Sequence, residues 1–286
     1  MMTVLLLDGK KIASDTKLML MDIIEIQYDN GIIPKLCVIQ VGDDQASSVY
    51  IRNKEKACEY VGVESKTIRL DSCVTQDGLI AIIKEENKDD SVNGILVQLP
   101  LPKHINVQEV MDAIDPRKDV DCFNSINMGK LVLGNADYEP CTPQGIMQIL
   151  DSYGISVEGK HCVVVGRSNI VGKPMAVMLT NENATVTLCH SKTKNLKEIC
   201  KQADILITAI GKPKFFNEEY VKDGAVVIDV GINRMDDGKL CGDVDFDAVK
   251  DKVYAITPVP GGVGAVTVST LVANVIAAAI NQRING

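Results

Sequence analysis

Six apolar runs constrain the fold more than any other feature of this chain. They are "LCVIQV" (36–41), "GILVQL" (94–99), "HCVVVG" (161–166), "ATVTLC" (184–189), "DILITAI" (204–210) and "AVVIDV" (225–230). Such runs suit strands covered on both faces, as in a parallel sheet. Amphipathic stretches at 11–28, 47–61, 76–88 and 143–153 lie between them and read as helices. Alternation of this kind predicts βαβ units and an α/β architecture. No fixed-period repeat, low-complexity tract or flexible linker interrupts the pattern.

At 286 residues the chain is at the upper end of what one core supports, so two domains are expected. The boundary falls in "YEPCTPQG" (138–145), where two prolines disfavour a continuing element and Thr142–Pro143 suits a helix start. The first domain then covers 1–140 and the second 141–264. The last helix, from about 265, is left open by the pattern alone.

A net charge of −8 argues against a general nucleic-acid or acidic-membrane binder. The N-terminal "MMTVLLLDGKK" lacks the basic start and small-residue cleavage site of a secretion signal. The apolar segment 265–280 carries Thr267, Ser269, Thr270 and Asn274 and reads as a buried helix rather than a membrane span. Nine cysteines with no C-x-x-C suit free thiols in a reducing cytoplasm. Cys37, Cys162 and Cys189 read as small core residues. The three histidines, His104, His161 and His190, have no metal-ligand spacing, so no metal is expected.

"HCVVVGRSNIVGKPMAVML" (161–179) reads as strand, glycine turn and helix. Gly166 and Gly172 bracket a turn that can present N–H groups to a phosphate at a helix start. The pattern is not G-x-G-x-x-G, so a plain βα turn remains an alternative reading. In NAD binders an acidic residue closes the second strand and takes the ribose hydroxyls. Here "ATVTLC" is followed by His190, Ser191 and Lys192. With Arg167 in the glycine turn, that set favours a 2′-phosphate, hence NADP over NAD.

In "SSVYIRNKEKACEYVG" (47–62), Ser47 or Ser48 suits an N-cap and Gly62 a stop. At about 100° per residue, Tyr50, Ile51, Ala57, Cys58 and Val61 share one arc, and Lys54 falls inside it. Two readings stand: a lysine snorkelling from a helix edge, or one held in a cleft beside the Tyr50 ring. Lys56 faces solvent. Tyr-x-x-x-Lys is also the catalytic pair of short-chain dehydrogenases, but there the glycine loop comes first, and that order excludes them. Gln98 ends the strand 94–99, and Asp119 and Asp121 follow the next helix. All stand where ligands meet the carboxyl ends of parallel strands.

Seven stretches, "SSVYIRNKEKACEYVG", "GILVQLPLP", "PRKDVDCFNSINMGKL", "PCTPQGIMQIL", "VVVGRSNIVGKPMAVML", "TVTLCHSKT" and "ITPVPGGVGAVTVSTL", resemble the bifunctional methylenetetrahydrofolate dehydrogenase/methenyltetrahydrofolate cyclohydrolase family in order and spacing. The likeness spans essentially the whole chain. It implies two α/β domains flanking a cleft, the second a Rossmann-type NADP domain with a parallel sheet, and returns the last helix (265–286) to the first domain. It implies NADP-dependent oxidation of 5,10-methylenetetrahydrofolate, followed by hydrolysis of the methenyl product to 10-formyltetrahydrofolate. Lys54 corresponds to the catalytic lysine, Gln98 to its positioning partner, Asp121 to the carboxylate that grips the pterin, and Tyr50 to the ring that stacks on the aminobenzoate. Val97, Leu99, Pro260, Gly261 and Gly262 join the substrate set. Gly166, Arg167, Ser168, Gly172, Ser191 and Ile232 form the NADP set. Tetrahydrofolates, polyglutamylated forms included, and a homodimer are the partners implied. No membrane or nucleic-acid partner is.

A lysine shuttles protons near neutral pH only when its pKa is depressed, and burial beside a cationic ligand pushes that way. Four positions depart from the family pattern: Cys122 replaces a glycine, Asn124 a histidine, and Ala265–Val266 stand for Pro–Met. Cys122 restricts the backbone where glycine is usual. The alternatives carried are a dehydrogenase with weak or absent cyclohydrolase activity and a non-catalytic NADP binder.

Overall fold

The computed structural model describes residues 4–285. In chain order, β1 (Leu5–Leu6) and α1 (Gly9–Asp29) lead to β2 (Lys35–Val41), α2 (Gln45–Val61), β3 (Glu64–Leu70), α3 (Gln76–Lys88) and β4 (Gly94–Val97). Then come α4 (Val107–Asp112), α5 (Ser125–Val132), α6 (Cys141–Ser152), β5 (His161–Val165), α7 (Gly172–Asn181), β6 (Thr185–Cys189), α8 (Leu196–Cys200) and β7 (Ile205–Thr208). The chain closes with β8 (Val226–Asp229), β9 (Asn233–Arg234), β10 (Leu240–Cys241), α9 (Phe246–Val249), β11 (Ala255–Ile256) and α10 (Val263–Asn285).

The chain divides into two compact units. One comprises Ser14–Cys141 and the residues from Val268 onward; the other comprises the residues up to Ala13 and Thr142–Thr267.

In the first unit the strands run parallel in the order β3-β2-β4. β2 and β4 are buried along nearly their whole length, which is why both read as unbroken apolar runs. β3, "ESKTIRL", is a half-exposed edge whose charges hid it from the apolar pattern. Leu271, Val272, Val275 and Ile276 of α10 are buried with Leu20 and Ile24 of α1 and Ile51, Cys58 and Val61 of α2. α10 is long and apolar enough to cross a membrane by composition, but here its side chains build this core. Gly94 keeps the sheet close to α10: a Cβ there would come within 2.8 Å of Val120 and 3.2 Å of Val275.

The second unit holds a six-stranded parallel sheet in the order β1-β11-β8-β7-β5-β6. The chain leaves β5 to one side for β6, then crosses back to the other for β7. That makes a topological switch point between β5 and β7, the place where open parallel sheets bind ligands. The sequence reading attached the first residues to the first domain. Instead β1 pairs with β11, Leu5 opposite Ala255, so the chain start belongs to the six-stranded unit.

Candidate active site

α2 carries Tyr50 and Lys54 on the edge of its buried arc. Ile51, Ala57, Cys58 and Val61 are buried, Lys54 is half-buried, Tyr50 is 38% exposed, and Lys56 faces solvent. The helix is not capped by Ser47 or Ser48: Asp44 accepts from the Ser47 amide at 2.7 Å. The Ser48 hydroxyl instead donates to the Asp44 carbonyl and accepts from Gln40 Nε2. Gly62 ends the helix at φ 98°, in the left-handed region that glycine favours.

Gln98 lies one residue beyond β4, yet its amide still donates to the Ile39 carbonyl at 2.8 Å. Its Nε2 donates to the Leu99 carbonyl at 2.8 Å. That bond fixes the side-chain amide, so Oε1 faces Lys54 and accepts from Nζ at 3.0 Å. The lysine thus has a defined acceptor. Val97, 4% exposed, packs in the core, so its side chain is withheld from any ligand. Leu99 is half-buried.

Asp121 lies within a loop held by its neighbour Asp119. Asp119 is 1% exposed and accepts from the amides of Phe123 (3.2 Å) and Asn124 (2.8 Å) and from Asn127 Nδ2 (2.9 Å). Burial lifts its pKa to about 6; the three donors pull it down and the Asp121 charge pushes it further up. Cys122 takes the left-handed conformation, φ 61°, with its thiol donating to the Tyr138 carbonyl. The loop thus adopts the turn a glycine would, with a buried side chain added. Asn124 caps α5 through the Ile126 amide and donates to the Ile114 carbonyl at 3.0 Å.

Two residues escaped the sequence reading. Cys141, fully buried at the start of α6, has its thiol pKa pushed well up, first by burial, then by the charge and hydrogen bond of Asp121; the Lys54 charge acts in the opposite direction. The charges of both candidate catalytic groups are therefore felt at one thiol. Asn274 of α10 donates to the carbonyls of Val120 (2.9 Å) and Glu139 (3.0 Å) and to the Cys141 sulfur, tying α10 to both flanks of the Asp121 loop. Nothing in a single sequence marks an asparagine more than a hundred residues away as a brace.

In the six-stranded unit the glycine turn sits at the switch point. A Cβ on Gly166 would lie 2.2 Å from the Ala209 carbonyl oxygen, and one on Gly172 would lie 1.9 Å from the Gly166 oxygen. Only glycine fits at either position. The Ser168 hydroxyl accepts from the Val171 (3.2 Å) and Gly172 (3.4 Å) amides at the start of α7. Arg167 and Ser191 are exposed. His190 is a turn residue: Nδ1 accepts from the Lys192 amide, and its own amide donates to Thr193 Oγ1. Ile232 is 41% exposed and would lie 3.1 Å from a Cβ on Gly264. A close-packed glycine turn, with cations and hydroxyls but no carboxylate after β6, fits a dinucleotide bearing a 2′-phosphate.

Pro260, Gly261 and Gly262 also belong to this unit. Gly261 has φ 109°, and its carbonyl accepts from the Lys10 amide at 3.1 Å. Gly9 and Gly262 meet backbone to backbone, a Cβ on Gly9 lying 2.1 Å from the Gly262 oxygen. The structure thus brings Lys54, Gln98 and Asp121 together in one unit and the nucleotide-turn residues together in the other.

Comparison with known proteins also divides the chain near residue 140, although the family models assign 7–13 and 268–283 by sequence continuity rather than by the compact units. The model for the tetrahydrofolate dehydrogenase/cyclohydrolase catalytic domain matches residues 7–121, and that for the NAD(P)-binding domain of the same enzymes matches 140–283. The bifunctional protein FolD of Agathobacter rectalis is 57% identical over 273 residues, covering 96% of this chain and 98% of that protein. The crystal structure of the bifunctional enzyme FolD, a methylenetetrahydrofolate dehydrogenase/cyclohydrolase, from Campylobacter jejuni is 47% identical, with a TM-score of 0.96 over 98% of this chain and 99% of that one. The Trypanosoma brucei enzyme, solved with NADP cofactor and inhibitor, is 36% identical with a TM-score of 0.94 over the full length of both chains. With both domain models matched and identity sustained along nearly its whole length, this chain belongs to the tetrahydrofolate dehydrogenase/cyclohydrolase family.

Proposed function

We propose that the chain catalyses two consecutive steps: oxidation of 5,10-methylenetetrahydrofolate with NADP⁺, then hydrolysis of the 5,10-methenyl product to 10-formyltetrahydrofolate. The observation that carries this reading is the Lys54–Gln98 bond of 3.0 Å, with the charges of Lys54 and Asp121 both felt at the Cys141 thiol. When bound, NADP⁺ supplies the hydride acceptor.

The chain's own residues do the rest. The half-exposed Tyr50 ring stacks on the aminobenzoate. The Asp121 carboxylate accepts from the pterin's amino and ring N–H groups, a paired contact that fixes the angle of the folate. Oxidation needs orientation more than a base, so these two contacts serve it chiefly through proximity. Hydrolysis needs proton transfer. Water bonds to the cationic one-carbon atom and its oxygen gives up both protons as the carbonyl forms, one of them to solvent; the bond from that carbon to N5 breaks, and N5 takes the other proton. Lys54 Nζ carries that proton, and Gln98 Oε1 keeps the ammonium aimed by accepting from it. Gly166, Ser168, Gly172 and Ile232 hold the dinucleotide, and Arg167 and Ser191 take its 2′-phosphate. Pro260, Gly261 and Gly262 line the folate, with the Val97 backbone and Leu99 beside Gln98.

Polyglutamylated tetrahydrofolates, a homodimer and a cytoplasmic setting complete this reading; nine free thiols support the last. The departing loop positions favour no loss of hydrolysis, because Cys122 adopts the left-handed turn and Asn124 is fully engaged. The test supplies methylenetetrahydrofolate and NADP⁺ and follows NADPH and the methenyl absorbance separately. NADPH with no lasting methenyl signal is expected. Absence of NADPH would overturn the proposal, and a methenyl species that builds up and is not hydrolysed would leave only the first step.

A further inference from the structure

Two buried carboxylates at the carboxyl end of the six-stranded sheet take no part in the chemistry above. Asp243 is 0% exposed and Asp229 is 4% exposed. Asp243 Oδ2 accepts from the amides of Ile210 (2.6 Å) and Gly211 (3.1 Å), and Oδ1 accepts from the Lys212 amide (2.8 Å) and Asn233 Nδ2 (3.0 Å). Three consecutive amides of the loop after β7 therefore wrap one carboxylate, and the segment after β8 is pinned to the same group. Asp229, the last residue of β8, accepts from the amides of Gly231, Asp243 and Val244, each at 2.9 Å, and so fixes the backbone that carries Asp243. Neighbouring glycines leave the room: a Cβ on Gly231 would lie 2.3 Å from Asp243 Oδ1, and one on Gly242 would lie 1.8 Å from Asp229 Oδ2.

The wrapped loop abuts the nucleotide turn. Ala209, one residue before Ile210, has its carbonyl oxygen 2.2 Å from the position of a Cβ on Gly166. A continuous path of backbone contacts thus runs from Asp229 through Asp243 and the 209–212 segment to the glycine turn. Burying two carboxylates side by side is costly unless each is fully satisfied by donors. An apolar side chain at 243 could fill the volume but would leave four donors without an acceptor. The arrangement serves to hold two loops in one shape at the switch point.

We propose that Asp243 is a positioning residue for the dinucleotide: its carboxylate gathers the 210–212 and 231–233 segments into the surface against which NADP binds. It touches neither the reacting atoms nor the folate, and the inference rests on the NADP-dependent reading above.

Asp243→Asn tests it. The amide keeps the size but turns one acceptor oxygen into a donor facing N–H groups, leaving at least one of them unpaired, a loss worth roughly tenfold or more in affinity. The KM and calorimetric Kd for NADP⁺ are expected to rise about tenfold or more. The KM for methylenetetrahydrofolate and the rate of hydrolysis of added methenyltetrahydrofolate, which uses no dinucleotide, stay within about twofold. An unchanged Kd for NADP⁺, or an equal fall in both activities, overturns the proposal. Asn233→Ala removes one side-chain donor only and serves where the first variant fails to fold: a few-fold rise in the NADP⁺ Kd with hydrolysis intact is expected, and no rise overturns the proposal. Wild-type chain that forms no NADPH would instead sink the NADP reading itself.

Discussion

The Lys54 ammonium donates to Gln98 Oε1 at 3.0 Å, and Gln98 is held in that orientation because its Nε2 is bonded to the Leu99 carbonyl. A helix and a strand end, 44 residues apart, therefore present one pre-aimed proton carrier. Replacing Gln98 by Met keeps the bulk and removes the acceptor. Hydrolysis of methenyltetrahydrofolate is expected to fall roughly tenfold, about 1.4 kcal/mol, as for one lost charge-assisted bond. The NADP⁺ Kd should stay the same, because Gln98 belongs to the other unit. Unaltered hydrolysis would mean that the lysine needs no such partner.

Arg167→Ala and Ser191→Ala should each weaken NADP⁺ more than NAD⁺. Removing a contact to a 2′-phosphate costs on the order of 1.5–3 kcal/mol, tenfold or more, for the cofactor that bears it. Competition titrations with both cofactors read the ratio directly. Equal losses for the two would place 2′-phosphate recognition elsewhere.

The largely apolar strands and most helices were legible because full burial on both faces demands unbroken apolar runs. β3 was not, since an edge strand with one wet face carries charges. The cap of α2 was misassigned to the serines because Asp44 lies outside the amphipathic pattern, whereas the serine hydroxyls have other partners in the fold. Lys54 could be singled out by its place inside the apolar arc of α2 and Gln98 by its place at a strand end, but their contact could not. The braces Asp229, Asp243 and Asn274 were not legible, because most of the groups they hold are brought close only by the finished topology; Asp119 was singled out, but its role in holding a local loop was not.

Acid stability offers a check on the Asp119 brace. Its pKa stands at about 6 in the folded chain against an ordinary 3.8, so between about pH 4 and 6 the folded state binds the proton that the unfolded state has released. Stability from this group is therefore present at the acid end and lost as pH rises through 6, by up to about 3 kcal/mol. Asp119→Asn has no such titration. Denaturant unfolding at pH 4.5 and pH 7 should show wild type losing ground to this variant as pH rises. A difference that does not change with pH would contradict the shift.

Cys122 bears left-handed strain, φ 61°, worth about 1–2 kcal/mol for a residue with a Cβ. Cys122→Gly relieves it while losing the buried sulfur and loosening the unfolded chain, so stability should stay within about 1 kcal/mol of wild type. Cys122→Val adds a β-branched side chain at the same φ and should cost more than about 2 kcal/mol. Urea titrations compare them, and a tolerated valine would argue against strain at this turn.

Hydrolysis of added methenyltetrahydrofolate by wild type and Lys54→Met, measured without any dinucleotide, tests the central claim most directly. The variant is expected to lose activity by at least about 100-fold, the scale of a positioned acid–base group, while binding NADP⁺ as wild type does. Wild-type hydrolysis by the lysine-free chain would contradict the assignment of Lys54 as the proton carrier.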